Sequence, residues 1–583
     1  MKKQVYFIIL FLVGGFTSKA QYMLKNVEDV KWYNNIAQEK IYVHYNSNLL
    51  LAGEELLYKV YCKNAKTDQF TTNSKIAYVE LVGEEGVVFK HKIRLESGVG
   101  QGHFFIPSTL ASKNYKLLAY TRWMRNGDGN HFFSADINII NPYTRINFDD
   151  SAPLINIKAN KNKKNSNQIN LTINKDSLNT RQEVVLTIES LNASKAFGKY
   201  SISVKKNDKF LSTIKPDNSL TFTRLFTDSK VSRKRNIGEK VFLPEFEGEM
   251  ITGKVIEKTS KLPVPNAEVA LSILSNEACQ DMVLTNSNGV FFFHVKSDYS
   301  SSKAMIQALG DNKQNYIVEV FNHQKVNKEM LKFTEFKIHP TFKPAILQRS
   351  IYNQIQNAYQ NQGVKKNKII TPIYPKPLYG NYMKTYVLDD YKRFPTIAET
   401  LIEVVEKAWH ERRNGKTRYV EIRGRENDPY FGVNLLPMLI VDGALEENHQ
   451  RFLGFNAKNV KTISVLRDEY YYGDRVYQGA LLVKTFNDNY TNDLEGSFIK
   501  KFNLFNPELK TAYFNQLYHN KEDSKRIPDY RTQLLWLPYF YLKKQKDKIR
   551  FFTSDNKGTY EISLEGFTNE GVPISITKNF TVN

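Results

Sequence analysis

The chain has 583 residues, too many for one hydrophobic core, so its length predicts roughly four or five domains of about 100 to 150 residues each. It holds 82 Lys and Arg against 60 Asp and Glu, a formal net charge of +22 that favours acidic partners through long-range attraction. After residue 20 the sequence has no run of about 18 apolar residues, which excludes a membrane-spanning helix.

Residues 1–20 have the three parts of a secretory signal peptide. Lys2 and Lys3 precede an apolar run at 5–16, and the small residues Ser18 and Ala20 precede a cut after Ala20. Since no Cys follows the apolar run, the lipid-attachment signal of a bacterial lipoprotein is missing. We expect the mature chain to begin near Gln21 and to lie in the periplasm or in association with the outer membrane.

The mature chain remains strongly basic. Removing the signal lysines Lys2, Lys3 and Lys19 lowers the net charge from +22 to +19. For an exported protein, this charge makes anionic lipid or lipopolysaccharide and acidic envelope proteins the expected partners, and nucleic acid is not expected. Solvated linker charge is the alternative interpretation, because basic residues concentrate at 158–164, 230–235 and 365–368.

Most of the chain is predicted to form β-sandwiches. Short segments rich in Val, Ile, Tyr and Phe alternate with polar residues and are interrupted by turn residues roughly every eight to twelve positions. The predicted fold class is therefore mainly β, with tandem sandwiches and one α+β module. The expected divisions are a signal peptide at 1–20, β-sandwiches at 37–142, 143–207, 247–338 and 491–583, linkers at 208–246 and 339–377, and the α+β module at 378–490.

The α+β module is predicted from a change of period. Helical spacing relates five apolar residues, which are Ile397, Leu401, Val404, Val405 and Ala408. We therefore predict a helix over 396–409 with Thr396 as its N-cap. The apolar runs at 438–441 and 480–483 predict two buried strands after it.

The first sandwich carries motifs of a known domain type. They lie at 39–44, 51–56, 104–107 and 120–126, where Gly53 is expected in a turn between two strands and Trp123 can cap the core. This segment resembles the macroglobulin-type immunoglobulin-like domain of bacterial envelope proteins. The tail at 527–560 resembles a late sandwich of the same proteins, with a hairpin turn predicted at 555–558.

The third sandwich contains a second set of motifs at 251–256, 265–271 and 285–293. Within the last of them, Asn288 and Gly289 can supply the positive φ angles of a tight hairpin. The segment is similar to the carboxypeptidase regulatory-like domain, a small transthyretin-like sandwich. Because that module has no catalytic residues in its family, the resemblance implies no peptidase activity.

A third resemblance lies within 378–490. An apolar strand that ends at Asp442 and Gly443 is followed by segments at 460–468 and 472–475 and by a strand at 479–485. This order resembles the plug domain of TonB-dependent outer-membrane transporters. A transporter plug precedes a barrel of about 22 strands, each of about ten residues. The 93 residues after position 490 are too few for one, so we expect a plug-like domain without a barrel and no transport by this chain alone.

Motifs for catalysis and metal binding are missing or incomplete in the sequence. A macroglobulin thioester needs Gly-Cys-Gly-Glu-Gln, and the segment around Cys279 lacks that spacing. His410 has no second His at the spacing of a helical zinc peptidase. We therefore expect a protein that is not an enzyme and has no cofactor or metal. Cys62 and Cys279 are interpreted as buried free thiols, although their pairing stays open.

A cluster of aromatic and charged residues in the α+β module is the candidate contact surface for a partner, since such residues are enriched at interfaces. It consists of Tyr470, Tyr471, Tyr472, Asp474, Arg475 and Tyr477. The alternative is that these tyrosines pack over the edge of their own module.

The sequence favours a non-catalytic protein of the cell envelope that binds or assembles with an outer-membrane partner. Two alternatives remain at this point. One is an accessory subunit that captures a glycan or peptide for TonB-dependent nutrient uptake, and the other is a macroglobulin-like protease inhibitor.

Overall fold

The structure is a computed structural model that describes residues 21–127, 131–152, 168–207, 218–227, 234–274, 279–296, 299, 301–321, 331–360, 367–370, 383–413, 415, 417–424, 435–473, 475–518 and 527–583. Strands dominate these ranges, which confirms the predicted mainly β fold class. Within them, no helix combines the length and the apolar character needed to cross a membrane. The predicted signal peptide lies outside the described residues.

The first sandwich spans residues 39–140. A short strand and a helix precede it, and the elements are β1 (Tyr22–Met23), α1 (Val27–Asn35), β2 (Glu39–Tyr45), β3 (Leu49–Leu51), β4 (Glu55–Asn64), β5 (Ile76–Gly83), β6 (Gly86–Arg94), β7 (Val99–Phe105), β8 (Lys113–Tyr120) and β9 (Phe133–Ile140). One sheet has the order β2-β4-β7 and the other has the order β3-β9-β8-β5-β6. Apolar side chains from both sheets form a common core between them.

Of the two residues singled out in this sandwich, Gly53 has the expected surroundings, whereas Trp123 packs in a separate cluster beside the sandwich core. Gly53 lies in the turn between β3 and β4 with φ +91°. Trp123 is fully buried, its ring centroid is 4.9 Å from that of Tyr33, and its indole N–H donates to the Ala37 carbonyl at 3.1 Å. Tyr33 belongs to α1, so Trp123 holds the N-terminal helix against the sandwich.

The segment after the first sandwich does not form a sandwich on its own. It contains β10 (Ile169–Ile173), β11 (Ser177–Leu178), β12 (Glu183–Ser190) and β13 (Gly198–Lys206), followed by α2 (Ser219–Thr227) and β14 (Lys240–Val241). Strands β10 to β13 lie in two different sheets, each of which is completed by strands from the C-terminal part of the chain, and β14 pairs with β1.

The third sandwich begins at residue 249. Its strands and the elements after it are β15 (Glu249–Glu257), β16 (Glu268–Ile273), β17 (Cys279–Leu284), β18 (Val290–Val295), β19 (Lys303–Ala308), β20 (Tyr316–Val320), α3 (Lys343–Gln360) and β21 (Lys368–Ile369). Gly289 has φ +68°, as predicted for a turn, but Asn288, for which a positive φ is also predicted, does not have one. The turn is not a hairpin, however, because β17 pairs with β16 while β18 pairs with β15 in the other sheet.

The α+β module has a five-stranded sheet of order β22-β27-β30-β25-β26. Its elements are β22 (Lys384–Val387), α4 (Ile397–Glu403), β23 (Ala408–Arg413), β24 (Thr417–Ile422), β25 (Met438–Val441), β26 (Ala444–Glu446), α5 (His449–Leu453), β27 (Val460–Leu466), β28 (Tyr470–Tyr472), β29 (Arg475–Tyr477) and β30 (Ala480–Thr485). The two predicted buried strands, β25 and β30, pair in parallel at its centre.

The helix predicted over 396–409 is shorter than expected. Thr396 is its N-cap, since its hydroxyl oxygen accepts from the Glu399 N–H at 3.3 Å. The helix ends at Glu403, Lys407 adopts φ +66°, and Ala408 begins the β23–β24 hairpin. Although Val405 and Ala408 lie beyond the end of the helix, their side chains are still buried in the core of the module.

The last elements return to modules that were begun earlier. They are β31 (Ile499–Asn503), β32 (Thr511–Ala512), β33 (Gln533–Leu542), β34 (Lys546–Phe552), β35 (Gly558–Thr568) and β36 (Pro573–Val582). Strand β31 pairs with β19 of the third sandwich. Strands β33 to β36 complete the second sandwich, whose sheets have the orders β10-β12-β34 and β11-β36-β35-β13-β33. The prediction of separate sandwiches at 143–207 and 491–583 is therefore corrected to a single one.

The domains are consequently nested. The second sandwich is interrupted between β13 and β33, the third sandwich lies within that interruption, and the α+β module lies within the third. The turn predicted as a hairpin at 555–558 is a crossing between the two sheets of the second sandwich, since β34 pairs with β12 and β35 pairs with β13. In this crossing, the Asp555 carboxylate accepts a hydrogen bond from the Arg181 guanidinium at 2.6 Å. Arg181 lies 374 positions earlier in the chain.

The first and second sandwiches pack through the outer face of sheet β2-β4-β7. His44 of β2 lies with its ring centroid 5.3 Å from that of Trp536 on β33, and its Nδ1 is 2.6 Å from the Ser201 hydroxyl on β13. The Tyr42 hydroxyl donates to the buried carboxylate of Glu565 on β35. This contact holds the two sandwiches together beside the cleft that they share.

Candidate functional site

The predicted contact surface of the α+β module lies mostly inside the molecule. Tyr472 is buried, and its hydroxyl donates to the Asp281 carbonyl of β17 at 2.6 Å. Arg475 pairs with Glu268 of β16 and, at 2.8 Å, with Glu447. The β28–β29 hairpin therefore joins the α+β module to the third sandwich.

This arrangement corrects the expectation that all six residues face a partner. Tyr470 and Tyr477 are partly buried and pack on an apolar cluster shared by the two modules. Asp474 lies outside the described residues. Tyr471 alone stays largely exposed, at 58 % of its surface, so its contact with a partner remains a prediction.

A cleft of about 740 Å³ between the first and second sandwiches is the candidate functional site. The turn before β4 and the end of β7 form one wall, and β33 forms another. Helix α3 and the segment 506–514 close the sides. The volume falls within the range of about 300 to 1,000 Å³ typical of ligand sites.

A buried ion pair fixes α3 to the first sandwich. The Arg349 guanidinium donates from Nε to Oε1 and from Nη2 to Oε2 of Glu54, both at 2.7 Å. Burial alone would raise the pKa of Glu54, but Arg349 outweighs this effect and holds the carboxyl pKa below its ordinary value. The Glu54 and Arg349 side chains therefore stabilise the wall of the cleft.

The next turn of α3 contacts the same loop through carboxamides. Asn353 donates to the Ala52 carbonyl at 3.2 Å, and Asn357 donates to the Gly53 carbonyl at 2.9 Å and to the Asn353 oxygen at 3.3 Å. An Asn side chain has two N–H donors and one acceptor oxygen. One N–H of Asn353 and the oxygen of Asn357 therefore have no further partner in the part of the chain that the structure describes.

Trp536 lines the cleft from the second sandwich. The side chain is only 4 % exposed, and its Nε1–H has no acceptor among the described residues. The neighbouring imidazole of His44 cannot easily carry a charge, because burial lowers its pKa to about 3. A buried donor without an acceptor costs about 1 to 3 kcal/mol, so this indole is a notable feature of the wall.

The charges around the cleft balance, although the chain as a whole is strongly basic. Three acidic and three basic residues line it, which are Glu54, Glu55, Glu508, Lys205, Arg349 and Arg531. Arg531 is paired with Asp529 at 2.7 Å, as Arg349 is with Glu54. The basic surplus of the chain therefore does not define the character of this cleft.

Several apolar side chains that line the cleft are exposed. Phe105 at the end of β7 is 50 % exposed and Ile369 of β21 is 62 % exposed. Leu509 on the closing segment is also exposed. The aromatic ring of Tyr530 is covered on one face, since it stacks on Tyr352 at a centroid distance of 4.1 Å and an angle of 3°.

Sequence reasoning missed this cleft because its residues are far apart in the chain. Glu54 and Arg349 are separated by 295 positions, and Trp536 comes from a strand assigned to a different domain. The one local signal was the run of carboxamides on α3, where Asn353 and Asn357 share a helix face.

Comparison with known proteins identifies no family for the chain. No family model matches it, and no curated protein matches its sequence. Among solved structures, α2-macroglobulin of Escherichia coli activated by porcine elastase aligns over 94 % of this chain and 44 % of its own, with 9 % identity and a TM-score of 0.24. α2-Macroglobulin of Salmonella reacted with methylamine aligns over 93 % and 39 %, with 8 % identity and a TM-score of 0.23.

The chain thus spans less than half the length of these proteins. At this level of similarity the comparison assigns neither a family nor a function.

Proposed function

We propose that the chain is a non-catalytic binding protein of the cell envelope that holds its ligand in the cleft between the first two sandwiches. The observation that carries the proposal is the cleft itself, which is of ligand size and is lined by Trp536, whose buried indole N–H has no acceptor among the described residues. The signal peptide predicted at 1–20 supports an envelope location.

The chemistry of the cleft favours binding over catalysis. Several of its charged side chains form ion pairs that stabilise the fold. The pair between Glu54 and Arg349 joins α3 to the first sandwich, and Arg531 pairs with Asp529. Carboxamides and apolar side chains make up much of the rest. Such groups orient a ligand through hydrogen bonds and surface burial.

Binding to purified mature protein tests the proposal. Capped peptides, neutral oligosaccharides, lipopolysaccharide and anionic vesicles are screened by thermal shift, and hits are measured by calorimetry. Leu509→Arg places a charge at the cleft, and Leu262→Arg is the control on another exposed leucine, which does not line the cleft. We expect a ligand whose affinity falls at least about tenfold in Leu509→Arg and is unchanged in Leu262→Arg. Equal binding by both variants, or none by the wild type, would contradict the proposal.

The partner in the cell is proposed to be an outer-membrane or other envelope protein. A crosslinking pull-down from intact envelopes, with wild type, Leu509→Arg and Leu262→Arg, tests this part. Recovery of one envelope protein by the wild type and the control, but not by Leu509→Arg, is the expected result. The same preparations are assayed against trypsin and elastase, because a slowed protease would favour the macroglobulin-like inhibitor instead.

A further inference from the structure

We infer that the cleft takes an extended, uncharged peptide segment with apolar side chains, presented by a partner protein. The inference rests on the proposed function and names the ligand class for the same site. Three properties of the cleft lead to it: its charge balance, its apolar side chains and its spare hydrogen-bonding groups.

The charge balance disfavours a strongly charged ligand. Three carboxylates and three cations line the cleft, and two of the cations, Arg349 and Arg531, are committed to carboxylates at 2.7 Å. An acidic ligand would compete with those pairs. The carboxylates left for a basic ligand are Glu55 and Glu508, and burial raises the pKa of Glu508 and so disfavours its charged form. Separating one partner from a buried ion pair costs free energy, because it leaves a buried charge without its counter-charge. An uncharged ligand therefore fits this cleft best.

The apolar side chains favour a peptide over a neutral glycan. Sugars bind chiefly on open aromatic faces together with polar groups, and the open faces here are few. Trp536 is almost fully buried, and Tyr530 is covered by Tyr352 on one face. Tyr513 and Phe514 are partly buried, and Phe105 is the lining ring with the largest exposed fraction, 50 %. The aliphatic side chains of Ile369 and Leu509 line the same cleft and are exposed, so burial under apolar peptide side chains would stabilise the complex.

The spare hydrogen-bonding groups match a peptide unit. Asn353 has one N–H and Asn357 one oxygen without a further partner among the described residues, and each peptide unit supplies one C=O and one N–H. The Trp536 indole adds a second donor that lacks an acceptor in the described chain. Because the indole nitrogen is itself buried, a main-chain carbonyl of the bound segment would accept from it only after the side chains that cover it shift.

The test uses the full mature chain and capped, fluorescent octapeptides. One peptide alternates Leu with Ser, a second replaces each Ser by Glu, and a third replaces each Leu by Ser. Maltoheptaose is the neutral glycan probe. We expect the Leu–Ser peptide to bind, and the Glu-containing and Leu-free peptides to bind at least about tenfold more weakly. Tighter binding of the acidic peptide would overturn the inference.

Two matched variants locate the binding. Ile369→Ser removes an apolar side chain of the cleft, and Ile402→Ser is its control, because the two isoleucines are 62 % and 60 % exposed. The affinity of the Leu–Ser peptide should fall about tenfold in Ile369→Ser only. Equal affinities in both variants would place the peptide elsewhere and overturn the inference.

An isosteric change tests the indole donor. Benzothienylalanine in place of Trp536 keeps the shape of the ring and removes the N–H. Because the donor has no acceptor in the described part of the chain, the melting temperature should not fall, whereas peptide affinity should fall several-fold. An unchanged affinity would remove the indole from the inference, and a lower melting temperature would show that the N–H has a partner in the free protein.

The outcomes separate the inference from the proposed function. If maltoheptaose binds and Leu509→Arg abolishes its binding, the cleft is a ligand site and the peptide inference is wrong. If neither peptides nor the wider ligand panel bind the folded chain, both fail.

Discussion

At the scale of single residues, Gly53 shows how tightly the wall of the cleft is built. A Cβ added at Gly53 would lie 2.6 Å from the Asn353 side-chain nitrogen, and its φ of +91° is a conformation that other residues adopt at a cost. Both effects act on the turn that α3 contacts.

We predict that Gly53→Ala lowers the free energy of unfolding more than Gly310→Ala does. Gly310 also has φ +91°, but a Cβ there would meet nothing within 4 Å, so it reports the backbone cost alone. That cost is about 1 to 2 kcal/mol, and Gly53→Ala should add the cost of displacing Asn353. Chemical denaturation of both variants measures the difference, and equal losses would show that α3 adjusts without strain.

Glu565 at the contact of the two sandwiches gives a pH prediction. Burial raises its pKa from 4.5 to about 7, although the Tyr42 hydroxyl donates to it. The unfolded carboxyl ionises near 4.5 and the folded one near 7, so this group lowers the free energy of unfolding as pH rises between those values. Glu565→Gln should match the wild type near pH 4 and exceed it above pH 7, by up to about 3 kcal/mol.

Thermal unfolding across pH 4 to 8 measures this difference. His44, whose pKa burial lowers to about 3, acts in the opposite direction, because the folded state resists its protonation as pH falls below 6.5. The two effects partly offset each other in the wild type. The stability of Glu565→Gln should therefore rise with pH more steeply than that of the wild type, and parallel profiles would contradict the prediction.

At the scale of elements, the sequence predicted the type of most segments and often missed where they connect. The Thr396 cap and the buried strands β25 and β30 follow from local signals, and all are present. The helix after Thr396 is shorter because the same apolar spacing at Val405 and Ala408 also suits a turn and a hairpin that point both side chains into the core.

Turn residues in the sequence predicted where the chain bends, but not which sheet the next strand joins. Gly289 has the positive φ that its sequence predicts, and 555–558 is a turn, yet both pass between sheets. Local chemistry is the same for a hairpin and for a crossing. The partner strand decides between them, and it lies far away in the sequence. The cleft escaped prediction for the same reason, since Glu54, Arg349 and Trp536 meet only through long-range pairing.

At the scale of the whole molecule, the nesting predicts which pieces fold together. The core of the second sandwich is built from two distant segments, 169–204 and 534–582. Strands β13 and β33 are neighbours, and the Lys206 N–H donates to the Thr532 carbonyl at 2.8 Å, so a short linker can join them.

We predict that residues 168–206, joined by a Gly-Ser linker to residues 527–583, fold as one cooperative unit. The joined chain contains every strand of both sheets of the second sandwich. Urea unfolding followed by circular dichroism measures its transition, which should lie below that of the full chain because the first sandwich is absent. Residues 168–206 alone are the control and should remain unfolded, and a cooperative transition for that control would contradict the nesting.

The interruption of the second sandwich also sets an order of events during synthesis. Strand β13 leaves the ribosome long before β33, and residues 207–532 must be made in between. All strands of the first sandwich are synthesised early. The surface of the second sandwich that packs against it is complete only when β33 and β35 have been made. Until then the half-built sandwich exposes β13 with neither of its two neighbouring strands, and such an edge invites pairing with other chains. The edge of β13 therefore needs protection from other chains until β33 and β35 have been made.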